Sequence, residues 1–419
     1  MKKMYRFISL LLLSGCLWGV FIPETAAQVA YGYEFKPKRK RVSIPFEWQC
    51  NLMIVKLRIN KSDTLNFILD TGVGMNLLTD PKVATAMGLQ YVKTIDIVGA
   101  GQGEALAAHV AIGNQIYLTG VRATGQSVVA LSEDVLALSD YVGMPVHGVF
   151  GYDIFRSFVV EIDYSRKLVT LHNAKQYRYK TKKGEKIPVM IEDGKPYIVA
   201  EAILDNGKQI PLKLLVDTGA GHAISLDRNT KDGIEIPEKS MYVQLGRGLS
   251  GIITGHIGRL KNFKIGDYLL KDAITSFPDT NSLASRITRN SGRQGNVGCE
   301  ILKRFHVTFN YNENYMILKP EKKFFKEPFE RDMTGITIRA RGENYDKYFI
   351  ERVEGGSPAA KAGLEIGDEI LSVNEKMSRN ISLSDLYKIF QSKHGKPVKM
   401  FVKRRNEFFY TEFLLKKMI

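Results

Sequence analysis

The sequence predicts a mainly β protein with two β-barrel lobes related by internal duplication, followed by a small α+β domain. Segments 67–72 and 214–219 both consist of three apolar residues followed by Asp-Thr-Gly. Apolar and polar residues alternate over short stretches such as 159–171, which is typical of half-buried strands. From about residue 334 the pattern changes to a mixture of strand and helix signals.

The repeat extends beyond the two Asp-Thr-Gly segments. The aspartates are 147 residues apart, and Gly151 and the run at 158–164 both recur at this offset. Because one offset recovers several landmarks, it indicates duplicated architecture. We therefore expect lobes at residues 41–175 and 185–320.

Helical signals in the lobes are few. The best lie at residues 80–87, directly after the first Asp-Thr-Gly, and at 132–139. The basic, polar stretch at 175–186 is predicted to connect the lobes.

The first 27 residues predict an export signal. Basic residues precede an apolar run at 7–22, and small residues then allow cleavage after Ala27. Cys16 lies in a segment that resembles the bacterial lipobox, but the apolar run continues past it, so cleavage near Gln28 is preferred over a lipid anchor. We expect an exported protein of the periplasm or cell envelope, with an outer-membrane lipoprotein as the alternative.

The formal net charge of +16 is concentrated in three segments, at 36–41, 178–186 and 319–326. These segments flank the predicted domains, and neither a nucleic-acid-binding fold nor interleaved stacking aromatics accompany them. We therefore expect no nucleic-acid partner. The basic segments are expected to be solvated linker faces, with association to an anionic membrane surface as a further role.

The cysteines and histidines predict neither a disulfide scaffold nor a metal site. Cys50 and Cys299 would remain after signal cleavage, and two free thiols are the plainer expectation, although one bridge is possible. The seven histidines lack metal-ligand spacing, so we expect no metal and no other cofactor. His222 follows the second Asp-Thr-Gly closely, and we expect a loop histidine that influences the pH response.

Asp70 and Asp217 are the candidate catalytic pair. A single Asp-Thr-Gly could be an ordinary strand turn, but two copies in register with a wider repeat favour a site. Hydrolysis of a peptide without a metal needs a base to activate water and an acid to protonate the leaving nitrogen. Two carboxyls about 3 Å apart share one proton and can supply both functions.

The residues beside each aspartate are expected to support it. The hydroxyls of Thr71 and Thr218 can hydrogen-bond across the interface between the lobes. Gly72 and Gly219 leave room for substrate and water. Because both halves lie on one chain, we expect a complete site in a monomer.

With these motifs, both halves resemble retropepsin-type aspartic peptidases, here fused into one chain as in pepsin-like enzymes. The resemblance covers about residues 41–320. In that family a hydrophobic-hydrophobic-Gly segment crosses beneath each catalytic loop, and segments 149–151 and 296–298 occupy the expected places. The second segment departs from the pattern, because Asn296 stands at its first apolar position.

The resemblance also implies glycine-rich hairpins that close over the substrate as flaps. Neither candidate flap carries the tyrosine of pepsin-like flaps, which favours the retropepsin branch. The candidate flap residues are Gly99, Gly101 and Gly103 in the first half and Gly246 and Gly248 in the second.

The last unit, predicted at 334–418, carries Ser-Pro-Ala-Ala at 357–360 and Gly-Asp at 367–368. With these motifs it resembles the bacterial PDZ domains attached to exported proteases. Such domains add an extended peptide, usually a C-terminus, to a sheet edge. The alternative is a degenerate PDZ domain that only packs on the protease. The implied peptide-binding residues are Gly335, Ile336, Thr337 and Ile338 in the loop and strand, and Leu386, Ile389 and Phe390 on the helix.

The leading functional hypothesis is an endopeptidase that hydrolyses polypeptides outside the cytoplasm, with a PDZ unit that selects or presents substrate. One alternative is a non-catalytic peptide-binding protein on the same fold, since a fold does not guarantee its activity. Another is an envelope scaffold that acts through the PDZ groove. The retention of both aspartates, each with its threonine and glycine, favours the enzyme.

Overall fold

Strands dominate the structure, a computed structural model, and this confirms the predicted mainly β fold. The structure describes residues 32–37, 39–101, 103–203, 207–227, 235–279 and 292–419. The predicted export signal and Cys16 lie outside these residues. Within them, no helix combines the length and the apolar character that a membrane crossing requires.

The first lobe contains a closed ring of six strands. Around the ring, β3 pairs with β4, β4 with β9, β9 with β5, β5 with β8, β8 with β7, and β7 with β3. In chain order the elements are β1 (Gly32–Phe35), β2 (Arg41–Gln49), β3 (Leu52–Ile59), β4 (Leu65–Leu69), β5 (Asn76–Leu78), α1 (Pro81–Ala86), β6 (Tyr91–Ile97), β7 (Leu106–Leu118), β8 (Val121–Leu131), α2 (Leu138–Val142), β9 (Gly148–Phe150), α3 (Tyr152–Ser157), β10 (Phe158–Asp163) and β11 (Leu168–Asn173).

The second lobe repeats this ring with the corresponding strands. Here the closed path runs β14, β15, β20, β16, β19, β18 and back to β14. The elements are β12 (Glu185–Pro188), β13 (Met190–Glu192), β14 (Lys195–Ile203), β15 (Gln209–Val216), β16 (Ile224–Leu226), β17 (Met241–Gly248), β18 (Gly251–Ile265), β19 (Tyr268–Pro278), β20 (Gly295–Val297), α4 (Cys299–Leu302), β21 (Phe305–Asn310) and β22 (Tyr315–Pro320).

The alternating sequence pattern explains how the strands pack. In β2, Val42, Ile44 and Phe46 are buried while the residues between them are exposed. Successive side chains of a strand point to opposite faces, so one face of β2 joins the core and the other meets solvent. At about 25 cal/mol per Å² of buried apolar surface, such faces supply the main stabilising contribution.

A shared sheet joins the two lobes. Strand β10 pairs antiparallel with β21, which places Val160 opposite Phe309 and Ile162 opposite Val307. The sheet continues through β11 to β2 on one side and through β22 to β12 on the other. Because β12 begins within the predicted connection at 175–186, the end of that connection enters the sheet.

The helices of the lobes are short. Helix α1 lies within the predicted 80–87 segment, and the carboxylate of Asp80 caps it by accepting from the amides of Lys82 and Val83. Helix α2 begins only at Leu138, so most of the helix predicted at 132–139 is absent. Ala137 has a left-handed backbone (φ 46°), which prevents the helix from extending further toward the N-terminus.

The third unit is a separate sheet with its own core. Its strand order is β23, β24, β25, β27, β28, and β26 pairs with β25. The fully buried carboxylate of Asp368, from the Gly-Asp motif, accepts hydrogen bonds from Arg404. The elements are β23 (Ile336–Arg341), β24 (Lys347–Val353), α5 (Pro358–Lys361), β25 (Glu369–Val373), β26 (Lys376–Met377), α6 (Leu383–Phe390), β27 (Pro397–Arg404) and β28 (Glu407–Leu414).

The third unit contacts the first lobe through β23 and α6. The amide of Cys50 donates to Ser384 Oγ at 2.6 Å. The guanidinium of Arg339 lies 5.3 Å from the ring centre of Tyr141. These contacts place the third unit beside the turn between β2 and β3.

A cluster around Glu161 stabilises the junction of the lobes. Its carboxylate accepts hydrogen bonds from His172 at 3.0 Å, from Lys183 at 2.9 Å and, across the junction, from His306 at 3.0 Å. Burial alone would raise the pKa of Glu161, but these donors outweigh burial and hold the pKa well below its usual value.

We predict that Glu161→Gln lowers the free energy of unfolding by about 1 to 3 kcal/mol near pH 7. The pKa of Glu161 is lower in the folded chain than in the unfolded chain, so its contribution is present above about pH 5 and is lost as the pH falls. Denaturant unfolding at several pH values measures the difference between the variant and the wild type. A difference that grows toward acid pH would contradict this assignment.

Glu47→Gln is the matched control. Glu47 pairs with Lys56 at 3.2 Å, but both side chains are largely exposed. Exposed ion pairs contribute little, so this variant should unfold almost as the wild type does.

Candidate active site

Both aspartates lie where a strand of each ring ends. Strand β4 runs parallel to β9, and the amide of Asp70 donates to the carbonyl of Phe150 at 2.8 Å. Strand β15 runs parallel to β20, and the amide of Asp217 donates to the carbonyl of Val297 at 2.9 Å. A Cβ at Gly151 would overlap the carbonyl oxygen of Asp70, which explains the glycine there. The two hydrophobic-hydrophobic-Gly segments therefore position the two catalytic-loop candidates.

Crossed hydrogen bonds join the two Asp-Thr-Gly loops. Each threonine amide donates to the other threonine's hydroxyl at 3.0 Å. Thr71 Oγ1 donates to the carbonyl of Val216 at 2.5 Å, and Thr218 Oγ1 donates to that of Leu69 at 2.9 Å. Both threonines are fully buried, so these bonds are shielded from water.

The structure brings the side chains of Asp70 and Asp217 together. The amides of Gly72 and Gly219 donate to Asp70 Oδ1 at 2.6 Å and to Asp217 Oδ1 at 3.0 Å. A Cβ at Gly219 would overlap the carboxyl of Asp70, so only glycine fits between the loops. Burial, and next the neighbouring charge of Asp217, hold the pKa of Asp70 well above its usual value.

The surroundings of the pair differ between the lobes. Asn296 Nδ2 donates to Asp217 Oδ2 at 3.0 Å, and Asn296 Oδ1 lies 3.1 Å from His222 Nε2. Their counterparts at the 147-residue offset, Val149 and Met75, are apolar and line the same cavity. Two features of the sequence indicated this difference, namely Asn296 at an apolar position and His222 beside the second Asp-Thr-Gly.

Sequence analysis did not identify Lys195 as a site residue. This half-buried lysine begins β14 and lines the cavity with both aspartates, and its charge acts to lower the pKa of Asp70. Its place depends on the tip of the β13–β14 hairpin, where Asp193 adopts a left-handed backbone. No motif near Lys195 indicates that this tip reaches the other lobe.

The candidate flaps form the roof of a cavity of about 1330 Å³ whose lining includes Asp70 and Asp217. The roof closes where the two flaps meet at Ser250. The Gly103 amide donates to the Ser250 carbonyl at 2.5 Å, and the Ser250 amide donates to the carbonyl of Ala100 at 3.0 Å. The predicted flap residues lie in this roof, namely Gly99, Gly101 and Gly103 beside Ser250, with Gly246 and Gly248 on β17 of the facing hairpin.

The turn between β2 and β3 supports the loop that follows Asp217. Asn51 Nδ2 donates to the carbonyl of Gly221 at 3.0 Å and to Glu300 Oε2 at 2.9 Å. The amide of the preceding residue, Cys50, donates to Ser384 Oγ of the third unit. One turn therefore touches both the catalytic region and the third unit.

The cysteines and the acidic and histidine side chains are the groups that thiol and metal sites need. Cys50 and Cys299 are both free, and burial raises the pKa of the Cys50 thiol to about 11 and that of Cys299 further. Among the described residues, no group of three or more His, Cys, Asp or Glu side chains is placed to hold a metal ion. The carboxyl pair is therefore the chemically distinctive feature.

In the third unit, side chains of the same chain accept hydrogen bonds from the amides of the predicted peptide-binding residues Gly335 and Ile336. The carboxylate of Asp332 accepts from the amides of Thr334 and Gly335, and the Ile336 amide donates to Thr334 Oγ1. The amide of Ile338, another predicted peptide-binding residue, donates to Tyr387 Oη at 3.0 Å. Peptide binding by this loop stays a prediction, and it requires a ligand to replace these partners.

The helix residues of the predicted groove are buried to different degrees. Leu386 and Phe390 are buried in the core of the unit, and their place in a peptide groove stays a prediction. Ile389 is only partly buried, and Thr337 lies on β23. Tyr387, which we did not predict, is the helix residue that contacts β23. The helical spacing allowed either face of α6 to be the core face.

Two family models match the chain. Residues 55–154, which include Asp70, match the model described as aspartyl protease. Residues 349–404 match the model described as PDZ domain. No curated protein matches the chain. The chain thus contains an aspartyl protease domain and a C-terminal PDZ domain, as the resemblance implied.

We predict that Thr218→Val lowers the free energy of unfolding by about 2 kcal/mol or more, because it leaves a buried amide and a buried carbonyl without partners. Thr218→Ser is the matched control, since it keeps the hydroxyl and loses only a methyl group, at a cost of about 1 kcal/mol. Denaturant unfolding of both variants measures the difference. Equal stability of the valine and serine variants would show that the crossed bonds contribute little.

Proposed function

We propose that this protein is an exported aspartic endopeptidase that cleaves polypeptides with water activated between Asp70 and Asp217. The observation that carries the proposal is the meeting of two carboxyls from duplicated loops in one roofed cavity. The match of residues 55–154 to an aspartyl protease model supports a protease-type function in general.

The proposed reaction needs one proton shared by the two carboxyls. The ionised carboxylate removes a proton from a water molecule, which then attacks the carbonyl carbon of the peptide bond. The protonated carboxyl donates its proton to the leaving nitrogen. The raised pKa of Asp70 supports a pair that keeps one proton well above the usual range for carboxyls.

The cavity and its roof suit a polypeptide substrate. Its walls are largely apolar and include Ile68, Leu77 and Leu215 as well as the aspartates. Apolar pockets with a few placed polar groups are typical of substrate sites. The flap backbones can then pair with an extended chain once the bonds at Ser250 open.

The export of the protein and the part that its PDZ domain plays in recognition belong to the same proposal. Export rests on the sequence pattern of residues 1–27. The PDZ domain contributes Arg339 to the cavity wall, so a substrate in the cavity can contact both domains. We propose that this domain takes part in recognition of polypeptide substrates or partners, with C-terminus binding conditional on displacement of Asp332.

The test is peptide release from a denatured proteome by the purified chain, followed by mass spectrometry across pH. Asp70→Asn and Asp217→Asn should each reduce cleavage by at least about 100-fold, because one carboxyl cannot supply both an acid and a base. Cleavage should also continue in EDTA. Near-normal cleavage by either variant would overturn the proposal.

Asp80→Asn is the matched control for these substitutions. It makes the same chemical change just after the first catalytic loop, and asparagine also caps helices well. Its cleavage rate should therefore stay close to that of the wild type, while circular dichroism checks that all three variants fold.

A second prediction concerns Lys195. Its positive charge acts to lower the pKa of Asp70, so Lys195→Met should raise that pKa further. Activity needs a protonated Asp70 and is lost as the pH rises through its pKa. The alkaline limb of the profile of kcat/KM against pH should therefore move upward, by about half a pH unit.

Lys264→Met is the control for this shift. Lys264 is an exposed lysine of the same lobe that pairs with Glu201 at 3.7 Å. Its removal should leave the acidic and the alkaline limb of the pH profile at their wild-type positions. A downward shift of the alkaline limb in Lys195→Met would show that the lysine acts in another way.

A further inference from the structure

The two catalytic carboxyls receive different hydrogen bonds. Asp217 accepts from the Gly219 amide through Oδ1 and from Asn296 through Oδ2. Asp70 accepts from the Gly72 amide, but the residue equivalent to Asn296 in its lobe is Val149, which has no donor. A hydrogen bond donated to a carboxylate favours its charged form.

His222 holds Asn296 in the orientation that this bond requires. The amide oxygen of Asn296 lies 3.1 Å from His222 Nε2, so that nitrogen carries the proton and donates it. With its oxygen fixed by His222, Asn296 directs its NH₂ group at Asp217. The equivalent of His222 in the first lobe is Met75, so the whole arrangement is confined to one lobe.

We infer that Asn296, oriented by His222, is a positioning residue that keeps Asp217 ionised as the base and leaves the shared proton on Asp70 as the acid. The inference rests on the proposed function and adds the direction of proton transfer. Duplication alone would make the two carboxyls equivalent, and this pair of polar residues distinguishes them.

Other titratable groups near the pair do not reverse this assignment. Lys195 favours the ionised form of Asp70, but burial and the charge of Asp217 outweigh it. Cys299 and Tyr311 also lie near the pair, and burial raises the pKa of each group, which keeps both neutral in the range where carboxyls titrate. His222 adds positive charge beside Asp217 when it is protonated, which favours the same ionised carboxylate.

The main test is Asn296→Val, which copies the first lobe. Without the amide donor, Asp217 should become protonated at a higher pH. The ionised carboxylate that acts as the base is then lost at a higher pH than in the wild type. The acidic limb of kcat/KM should move upward by about one pH unit, the equivalent of one tenfold step. Asn296→Thr keeps a donor group and should return the limb toward the wild-type position.

Two further variants separate this role from a structural one. His222→Met should move the acidic limb in the same direction by a smaller amount, since Asn296 stays but loses its partner. Val149→Thr should lower the alkaline limb, because it gives Asp70 a hydroxyl donor. A packing defect would reduce kcat, but it would neither raise the acidic limb in His222→Met nor lower the alkaline limb in Val149→Thr.

A direct titration completes the test. In protein labelled with ¹³C at the aspartate carboxyls, the Asp70→Asn and Asp217→Asn variants identify the two resonances. The Asp217 resonance should titrate at lower pH than that of Asp70, and at a higher pH in Asn296→Val than in wild type.

An unmoved acidic limb together with an unmoved Asp217 titration in Asn296→Val would overturn the inference. If the wild type cleaves no polypeptide, the proposed function fails. The titration still decides whether Asn296 sets the ionisation of Asp217.

Discussion

The crossed hydrogen bonds between Thr71 and Thr218 are the constraint on which the rest of the site depends. They are a fully buried link between two lobes that also meet through the shared β10–β21 pairing and at the flaps. A carboxyl pair shares a proton only over a few ångströms, and two independent domains do not hold such a distance by surface contacts alone. The threonines hold the two Asp-Thr-Gly loops together, and the loops determine where the two carboxyls lie.

Duplication explains why the two lobes share one fold and why each lobe supplies one aspartate. Each lobe builds the same six-strand ring and delivers one aspartate to the junction. Once both copies lie on one chain, they are free to differ, and Asn296 and Val149 show such a difference at equivalent positions. A symmetric scaffold thereby surrounds its two carboxyls with different hydrogen-bond donors.

The sequence predicts features set by local or repeated signals. The helix capped by Asp80 follows from its N-terminal pattern, and the 147-residue offset carries the order of strands from one lobe to the other. Lys195 and Ser250 were missed because their roles depend on long-range contacts at hairpin tips. Asp332 was missed although its contacts, to Thr334 and Gly335, are local. The helix predicted at 132–139 failed because the backbone of Ala137 overrides a moderate propensity.

The roof over the cavity has a consequence for what can enter it. Backbone hydrogen bonds at Ser250 tie the two flaps, and a side chain at Gly101, Gly103 or Gly248 would clash with the backbone of the facing flap. A compact globule cannot pass beneath such a lid, whereas a single strand fits once the lid lifts. Under the proposed function, the enclosure would select substrates by conformation rather than by sequence, so that unfolded or frayed chains are cleaved and well-folded neighbours are spared.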